Sequence, residues 1–163
     1  DWILIDLWAR ERGDDAVFAD VTWVGYAGDV VPKQQAKVFS VVKGARDAVV
    51  KRLREAWQTG EAVQGWQLDR VARDHIAGAG YGNYFIHRTG HSIGPGGNVH
   101  ALGVNLDDFE THDTRTVLPG GGFTIEPGIY LPEFGVRLEI NVYMDPERGP
   151  VITTTPQEEV ILL

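Results

Sequence analysis

Four carboxylates stand in apolar stretches of the sequence. Asp6 follows Ile-Leu-Ile, and Asp20 lies between an alanine and a valine. Glu126 follows Phe-Thr-Ile, and Glu139 lies between a leucine and an isoleucine. Each acid alone is explained well enough as a side chain on the wet face of a sheet. A buried carboxylate needs a partner because an unpaired buried charge is costly. Four such acids together therefore favour a shared cation site.

Three histidines lie close together in the middle of the chain. His87 and His91 are four residues apart, and His100 follows. A spacing of four fits one face of a helix or one face of a strand, but Gly90 and the glycine- and proline-rich run 94–97 disfavour a helix. We therefore place His87 and His91 on the same side of a strand that leads into a glycine-rich loop. A lone histidine is more often a structural hydrogen-bonding group, whereas three beside dense glycine predict a site.

The combination of four carboxylates with one imidazole suits divalent ions that prefer oxygen-rich coordination. Manganese, cobalt, iron and zinc all meet this description. Four negative charges match two divalent cations. Two metals about 3.5–4 Å apart can activate a bridging water and stabilise both sides of a hydrolytic transition state. The residues by themselves therefore predict a dinuclear hydrolytic centre.

Composition restricts the function classes further. The 163 residues fit one domain with a real core, and the formal net charge of −8 argues against a nucleic-acid partner. The same charge is also typical of an ordinary acidic surface. The sequence has no cysteine, which excludes disulfides and thiolate chemistry. We expect a cytoplasmic protein with no membrane partner, because no apolar run approaches the length of a membrane span.

The elements that must position these side chains follow from the periodicity of the apolar residues. Alternation over 2–8 and 16–26 predicts two strands that form a hairpin. Helical spacing predicts a long helix over about 33–57 and a second over about 65–78. Beyond residue 80, strands are predicted at 84–92, 122–131 and 135–144. The order of hairpin, two helices and β-rich half predicts an α+β fold.

Five segments occur together in the order used by the pita-bread metallopeptidases, a family that includes prolidase, aminopeptidase P and methionine aminopeptidase. The segments are Ile5-Asp6-Leu7, Ala19-Asp20-Val21-Thr22, His87-Arg88-Thr89-Gly90-His91-Ser92-Ile93-Gly94, Phe123-Thr124-Ile125-Glu126-Pro127-Gly128-Ile129-Tyr130 and Gly135-Val136-Arg137-Leu138-Glu139. Any one of them is a weak signal, whereas their joint occurrence is specific. The resemblance implies the pita-bread (creatinase/aminopeptidase) fold, a curved antiparallel sheet with helices on its outer face.

The resemblance also implies a role for each candidate metal ligand. Asp6 resembles the carboxylate that chelates the first metal. Asp20 and Glu139 resemble the carboxylates that bridge the two metals. His91 and Glu126 resemble the ligands of the second metal, and Glu126 would also move protons near the bridging water.

Four further residues are implied to act around the substrate. His87 and His100 resemble the histidines that line the cleft, one of which donates a hydrogen bond to the developing oxyanion. Arg137 resembles the arginine behind the metal ligands of the prolidase and aminopeptidase P branch. Trp8 stands where the family commonly has glycine and is expected to narrow the cleft. His100 lies about two residues late relative to the family's cleft histidine, after the additional Gly96-Gly97 region.

The function implied by the resemblance is a peptidase with two divalent metal ions, manganese first among the candidates. Its substrate would be a peptide with proline after the scissile bond, and dipeptidase and aminopeptidase preferences both stay open. Two alternatives are a non-catalytic pita-bread module that binds peptide or protein, and a creatinase-like amidohydrolase. Both are disfavoured by the retention of all five ligands.

The resemblance carries an expectation about completeness as well. The chain opens inside the apolar run 2–5 without an initiator methionine. Residues 1–163 are expected to form the C-terminal catalytic domain, N-terminally incomplete because the N-terminal domain and the opening part of the fold are missing. An exposed apolar surface is expected near the hairpin, and a homodimer is expected as the assembly.

Overall fold

The computed structural model describes residues 1–163. It contains two α-helices, one 3-10 turn and nine strands. The helices are α1 (Lys33–Thr59) and α2 (Gly65–Gly78), and the 3-10 turn is Gly82–Tyr84. The strands are β1 (Trp2–Ala9), β2 (Ala19–Tyr26), β3 (Ser92–Ile93), β4 (Gly122–Ile125), β5 (Gly128–Tyr130), β6 (Gly135–Arg137), β7 (Ile140–Asp145), β8 (Gly149–Ile152) and β9 (Ile161–Leu162).

Both predicted helices are confirmed. α1 begins after Pro32 and ends at Gly60, whose φ of 70° lies in the left-handed region that glycine tolerates. The face of α1 that carries Val42 and Leu53 is buried against α2 and the sheets. Neither helix combines the length and the apolar character needed to cross a bilayer.

The strands form three hydrogen-bonded sheets. Their orders are β1-β2-β9, β3-β4-β7-β8 and β5-β6. Every pairing is antiparallel except the short parallel contact between β2 and β9. The predicted hairpin is confirmed as β1 paired with β2, and its second strand begins at Ala19 rather than at residue 16. The α+β class is confirmed as well.

The prediction of a strand over 84–92 is wrong. The backbone is irregular from Phe85 to His91, and only Ser92 and Ile93 pair with β4. The reason, at Phe85 and His87, is that a side chain takes over the hydrogen bonds of the carbonyl groups. The carbonyl oxygens of Thr89 and His91, by contrast, accept from the backbone N–H groups of Glu126 and Thr124. Arg73 on α2 donates to the carbonyl oxygens of Phe85 and His87. A segment whose carbonyl groups are satisfied in this way does not need a neighbouring strand.

Two further strands were predicted as continuous and are each broken at a candidate ligand. The segment 122–131 divides into β4 and β5 at Glu126-Pro127, because proline cannot donate to a ladder. The segment 135–144 divides into β6 and β7 at Leu138-Glu139. Each break moves the chain from one sheet to another, so the carboxylate of Glu126 or Glu139 lies at the junction.

The main core lies on one side of these broken strands. Phe123, Ile125, Val136, Leu138 and Ile140 are fully buried there, in one cluster with the apolar faces of the helices. Because side chains alternate along extended backbone, the residues between them point to the opposite side. Those intervening residues are Thr124, Glu126, Arg137, Glu139 and Asn141. The core therefore fixes the polar side chains that face away from it.

Strand β1 is the edge of its sheet and leaves apolar side chains in water. Ile5, Leu7 and Trp8 are 61%, 59% and 55% exposed. An exposed apolar surface near the hairpin was predicted, and β1 provides it. The adjacent strand β2 is different, since Asp20, Thr22 and Val24 are all buried. The two strands of one hairpin therefore have unlike environments.

Candidate active site and metal centre

One cavity of about 350 Å³ lies on the side of the strands opposite the core. Every residue predicted for the site lines it, namely Asp6, Trp8, Asp20, His87, His91, His100, Glu126, Arg137 and Glu139. Arg88, Val99 and Glu110 complete the lining and were not predicted. Residues more than a hundred positions apart in sequence therefore meet at one place.

The centre of the cavity is a buried group of three potential metal ligands. Asp20, His91 and Glu139 bring one ligand atom each within 4.8 Å of one another. The Nε2 atom of His91 lies 3.3 Å from the carboxylate of Asp20 and 3.6 Å from that of Glu126. Glu126 thus adjoins the group without belonging to it.

The imidazole of His91 is oriented for ligation. Its Nδ1 atom lies 3.1 Å from the carbonyl oxygen of Ser92, which can only accept a hydrogen bond. A proton on Nδ1 is therefore satisfied by Ser92, and Nε2 faces the carboxylates of the cavity, where a metal would take the place of any second proton. Metal-binding histidines are typically held by such a hydrogen bond from the other ring nitrogen.

Glycine at position 90 brings His91 close to β4. A β-carbon at Gly90 would collide with the carbonyl oxygen of Thr124. The Oγ1 atom of Thr124 accepts a hydrogen bond from the backbone N–H of His91 at 2.9 Å and donates one to Glu126 at 2.9 Å. One buried hydroxyl therefore positions two of the candidate ligands, and Thr124 was not singled out from the sequence.

The segment that carries the histidines is also fixed from the helical side. Asp69 on α2 is fully buried and accepts hydrogen bonds from the backbone N–H and the hydroxyl of Thr89, at 2.9 and 2.7 Å. Arg73 forms an ion pair with Asp69 at 2.8 Å. The irregular backbone from 85 to 91 is therefore held by α2 in addition to the backbone hydrogen bonds that its last residues form with Leu106, Thr124 and Glu126.

Charge is concentrated around the buried carboxylates. Burial, together with the negative charges of Glu126 and Asp20, raises the pKa of Glu139 to about 9. Burial also raises the pKa of Glu126. For His91, burial opposes protonation, but the hydrogen bond to Asp20 and the charge of Glu126 raise its pKa overall.

These pKa directions test whether the residues fit a cation. A carboxylate that burial and like-charged neighbours keep uncharged at neutral pH would ionise if positive charge were added beside it. The donor set is also correct in type, with carboxylate oxygens and one imidazole nitrogen. The residues present therefore fit a metal centre.

Asp6 lines the same cavity but lies outside the buried group. Its side chain is 47% exposed on the edge strand, and its carboxylate forms an ion pair with the Nη2 atom of Arg137. Arg137 also donates from Nε to the hydroxyl of Thr22 at 3.0 Å. That hydroxyl in turn donates to the Glu139 carboxylate at 2.7 Å. A chain of contacts therefore links Asp6 to the buried ligands.

Tyr130 belongs to one of the five segments that carry the family resemblance, but the sequence indicated no role for it. Its hydroxyl lies 2.8 Å from Nε2 of His87 and 3.2 Å from Nη1 of Arg137. The Nδ1 atom of His87 donates to the carbonyl oxygen of Arg88 at 2.7 Å. Burial and the charge of Arg137 lower the pKa of His87, which favours the neutral ring. Both ring nitrogens of His87 are therefore engaged within the protein.

His100 differs from His87 in this respect. Its ring is exposed and forms no hydrogen bond with the protein, and its centroid lies 4.0 Å from that of His91. Burial and the nearby His91 lower the pKa of His100. Its ring nitrogens are therefore free to contact a molecule in the cavity. His87 and His100, to which the resemblance gives the same place in the cleft, therefore differ in their hydrogen bonding.

One wall of the cavity is apolar. Trp8 and Val99 are the only hydrophobic residues in its lining. Trp8 packs edge-on against the buried Phe18, with ring centroids 5.3 Å apart. That Trp8 narrows the cleft stays a prediction.

Comparison with known proteins agrees with the geometry. Residues 1–146 match the model of metallopeptidase family M24. The uncharacterized peptidase YqhT of Bacillus subtilis is 31% identical over 99% of this chain and 42% of that protein. The Xaa-Pro dipeptidase of Pyrococcus furiosus is 32% identical over 97% of this chain and 41% of that protein.

Solved structures give the same result. The crystal structure of a dipeptidase from Pyrococcus horikoshii superimposes with a TM-score of 0.82 at 34% identity. The superposition covers 99% of this chain and 41% of that chain. This chain therefore spans about two fifths of the length of these relatives.

Proposed function

This chain belongs to metallopeptidase family M24 and has its pita-bread fold, and we propose that it carries the metal centre of a peptidase that hydrolyses the bond before proline. The observation that carries the proposal is the convergence of Asp20, His91 and Glu139, all buried, within 4.8 Å in the cavity. Three ligand types that are costly to bury without a partner are thereby gathered at one point.

We assign two divalent cations to this centre. Asp20 and Glu139 would hold both ions, His91 and Glu126 would hold one of them, and Asp6 would hold the other. When bound, the cations would acidify a water molecule and polarise the scissile carbonyl. Manganese is the first candidate because carboxylate oxygens dominate the donor set, and cobalt, zinc and iron suit the same donors.

The residues of the chain supply the proton transfers and orientation. Glu126 is assigned the transfer of a proton from the attacking water to the leaving nitrogen, because its carboxylate lines the cavity 3.6 Å from the imidazole of His91. His100 is assigned the hydrogen bond to the developing oxyanion, because its ring nitrogens are free whereas those of His87 are engaged with Tyr130 and Arg88. His87 and Arg137 are assigned the positioning of the cleft.

The substrate is proposed to be a peptide with proline after the scissile bond. Relatives with this printed specificity support the assignment, and the apolar wall of Trp8 and Val99 offers contact to a side chain or a pyrrolidine ring. Residues 1–163 would be the C-terminal catalytic domain. The homodimer and the cytoplasmic location stay predictions of the sequence.

The direct test is hydrolysis of Ala-Pro and Leu-Pro, measured as released proline, with Ala-Ala as the control peptide. We expect activity that needs added manganese or cobalt, is removed by a chelator, and favours the proline peptides at least about tenfold. Metal content per chain is measured on the same sample. Bound metal without hydrolysis of any peptide would favour the binding module, and metal-independent turnover of creatine would favour the amidohydrolase.

A further inference from the structure

Asn141 contacts the main chain of a candidate metal ligand at two points. It is 1% exposed, and its Oδ1 atom accepts a hydrogen bond from the N–H of Asp20 at 2.9 Å. Its Nδ2 atom donates to the carbonyl oxygen of Asp20 at 2.6 Å. One side-chain amide therefore satisfies both backbone groups of that residue, as a neighbouring strand would.

The backbone of Asn141 is not available for this task. It lies in β7 opposite Thr124 of β4, and its N–H donates to the hydroxyl of Thr154 at 2.9 Å. Its carbonyl oxygen accepts from the N–H of Thr153 at 2.9 Å. Only the side chain is left to reach β2, which belongs to another sheet.

The contact forms part of a seam between the two sheets. Two residues away from Asn141, the backbone N–H of Glu139 donates to the carbonyl oxygen of Thr22 at 3.1 Å. Asp20 and Thr22 lie on one side of this seam, and Glu139 and Asn141 lie on the other. The seam therefore joins the two carboxylates assigned as bridging ligands, and Asn141 closes it at the Asp20 end.

We propose that Asn141 is a positioning residue of the metal centre, setting the place of Asp20 relative to Glu139 through its two hydrogen bonds to the Asp20 main chain. The inference rests on the proposed function, since it concerns how the ligands of that site are held. Without the amide, the buried N–H and C=O groups of Asp20 would lose their partners and the strand would shift to find others.

The chain contains a matched control. Gln157 is 2% exposed, and its Oε1 atom accepts from the N–H of Val24 at 2.8 Å while its Nε2 atom donates to the carbonyl oxygen of Val24 at 2.7 Å. The same type of amide contact therefore holds the same strand four residues further along. Neither Val24 nor Gln157 lines the cavity.

The experiment compares Asn141→Ala with Gln157→Ala in cobalt binding by calorimetry and in the visible spectrum of the cobalt-loaded chain. The melting temperature in chelator is recorded for both. We expect similar losses of melting temperature, but a loss of cobalt affinity of about 10- to 100-fold and an altered spectrum only for Asn141→Ala. Asn141→Thr, which introduces a strand-favouring residue, is the second variant in case the alanine variant does not fold, and is expected to weaken cobalt binding in the same direction.

The outcomes separate the two proposals. Wild-type cobalt affinity in both Asn141 variants, or an equal loss in Asn141→Ala and Gln157→Ala, overturns the positioning role and leaves the proposed function standing. Absence of cobalt binding by the wild-type chain overturns the proposed function itself, and the positioning role with it.

Discussion

The two strands of the hairpin carry one candidate ligand each, and their surroundings are opposite. β1 and β2 pair residue by residue, with Asp6 opposite Thr22. Yet Asp6 lies half exposed on an edge strand, whereas Asp20 is buried. On its second side, β2 is contacted by the amides of Asn141 and Gln157 and by β9.

This difference indicates that the position of a ligand side chain is set by the groups that contact its strand from the side rather than by the pairing of the strand itself. Both backbone groups of Asp20 are bonded to the side-chain amide of Asn141, and its carboxylate lies 3.3 Å from His91 before any ion is considered. The carboxylate of Asp6 is half exposed and is paired through Oδ2 with Arg137, so that a metal would compete with this partner for it. We infer that the β2 side of the centre is preorganised and that the β1 side assembles on binding.

The largest effect is expected from Asp20→Asn. The substitution removes the negative charge of the buried candidate ligand on β2 while keeping the shape of its side chain. We expect cobalt or manganese affinity to fall more than about 100-fold for both ions and activity to be lost. Metal per chain and release of proline measure these changes. Asp14→Asn, in the exposed hairpin turn, is the control and should match wild type. Normal metal content in Asp20→Asn would remove Asp20 from the ligand set.

Asp6→Asn should affect only the metal ion that is assigned to the β1 ligand. Because Asp20, His91 and Glu139 stay in place, we expect one ion to be retained with affinity within about tenfold of wild type and the other to be lost. Activity should fall about 10- to 100-fold. Calorimetric titration resolves the two binding steps. Loss of both ions would show that β1 and β2 contribute alike to metal binding, despite the different burial of Asp6 and Asp20.

The next largest effect is expected in the pH dependence of the stability of the chain. In the cation-free chain, Glu139 has a pKa of about 9, against an ordinary value of 4.5. The folded state then holds a proton that the unfolded state has lost. Stability is therefore full below about pH 4.5 and falls as pH rises toward 9, at a rate of at most about 1.4 kcal/mol per pH unit.

The measurement is the melting temperature in chelator between pH 5 and pH 9. We expect it to fall across this window in wild type and in Asp6→Asn, and to fall much less in Glu139→Gln. Added manganese should remove the decline, because the cation takes the place of the proton. A flat wild-type curve in chelator would contradict the raised pKa of the buried carboxyl.

The smallest effects concern packing. Val24→Ala on β2 removes two buried methyl groups and should lower the free energy of unfolding by about 1–3 kcal/mol. Ile5→Ala on β1 removes a side chain that is 61% exposed and should change it by less than about 0.5 kcal/mol. Urea denaturation of both variants gives the two values. Equal losses would indicate that β1 is covered in solution.

Much of this site could be predicted from local patterns. The alternation of apolar and polar residues along 135–144 identifies a core face and a polar face, and the structure keeps both faces although the strand breaks at Glu139. Helical spacing likewise located α1 and α2. These features follow from the periodicity of the backbone, which each segment carries by itself.

Other features depend on contacts that no segment contains. Nothing near Asn141 indicates that its amide would bond to Asp20, because the two residues are 121 positions apart. The same holds for the irregular backbone around His87, which the side chain of Arg73 stabilises from α2. Periodicity alone predicted a strand there.

The sequence by itself determined which side chains could form the centre, since residue type, spacing and the order of five segments are all properties of the chain. The tertiary structure decided how each is held. It buried Asp20, left Asp6 paired with Arg137, occupied both nitrogens of His87 and left His100 free. The physical reason is that burial and hydrogen-bond partners arise only when distant segments pack, and these decide the charge and orientation of every group in the cavity.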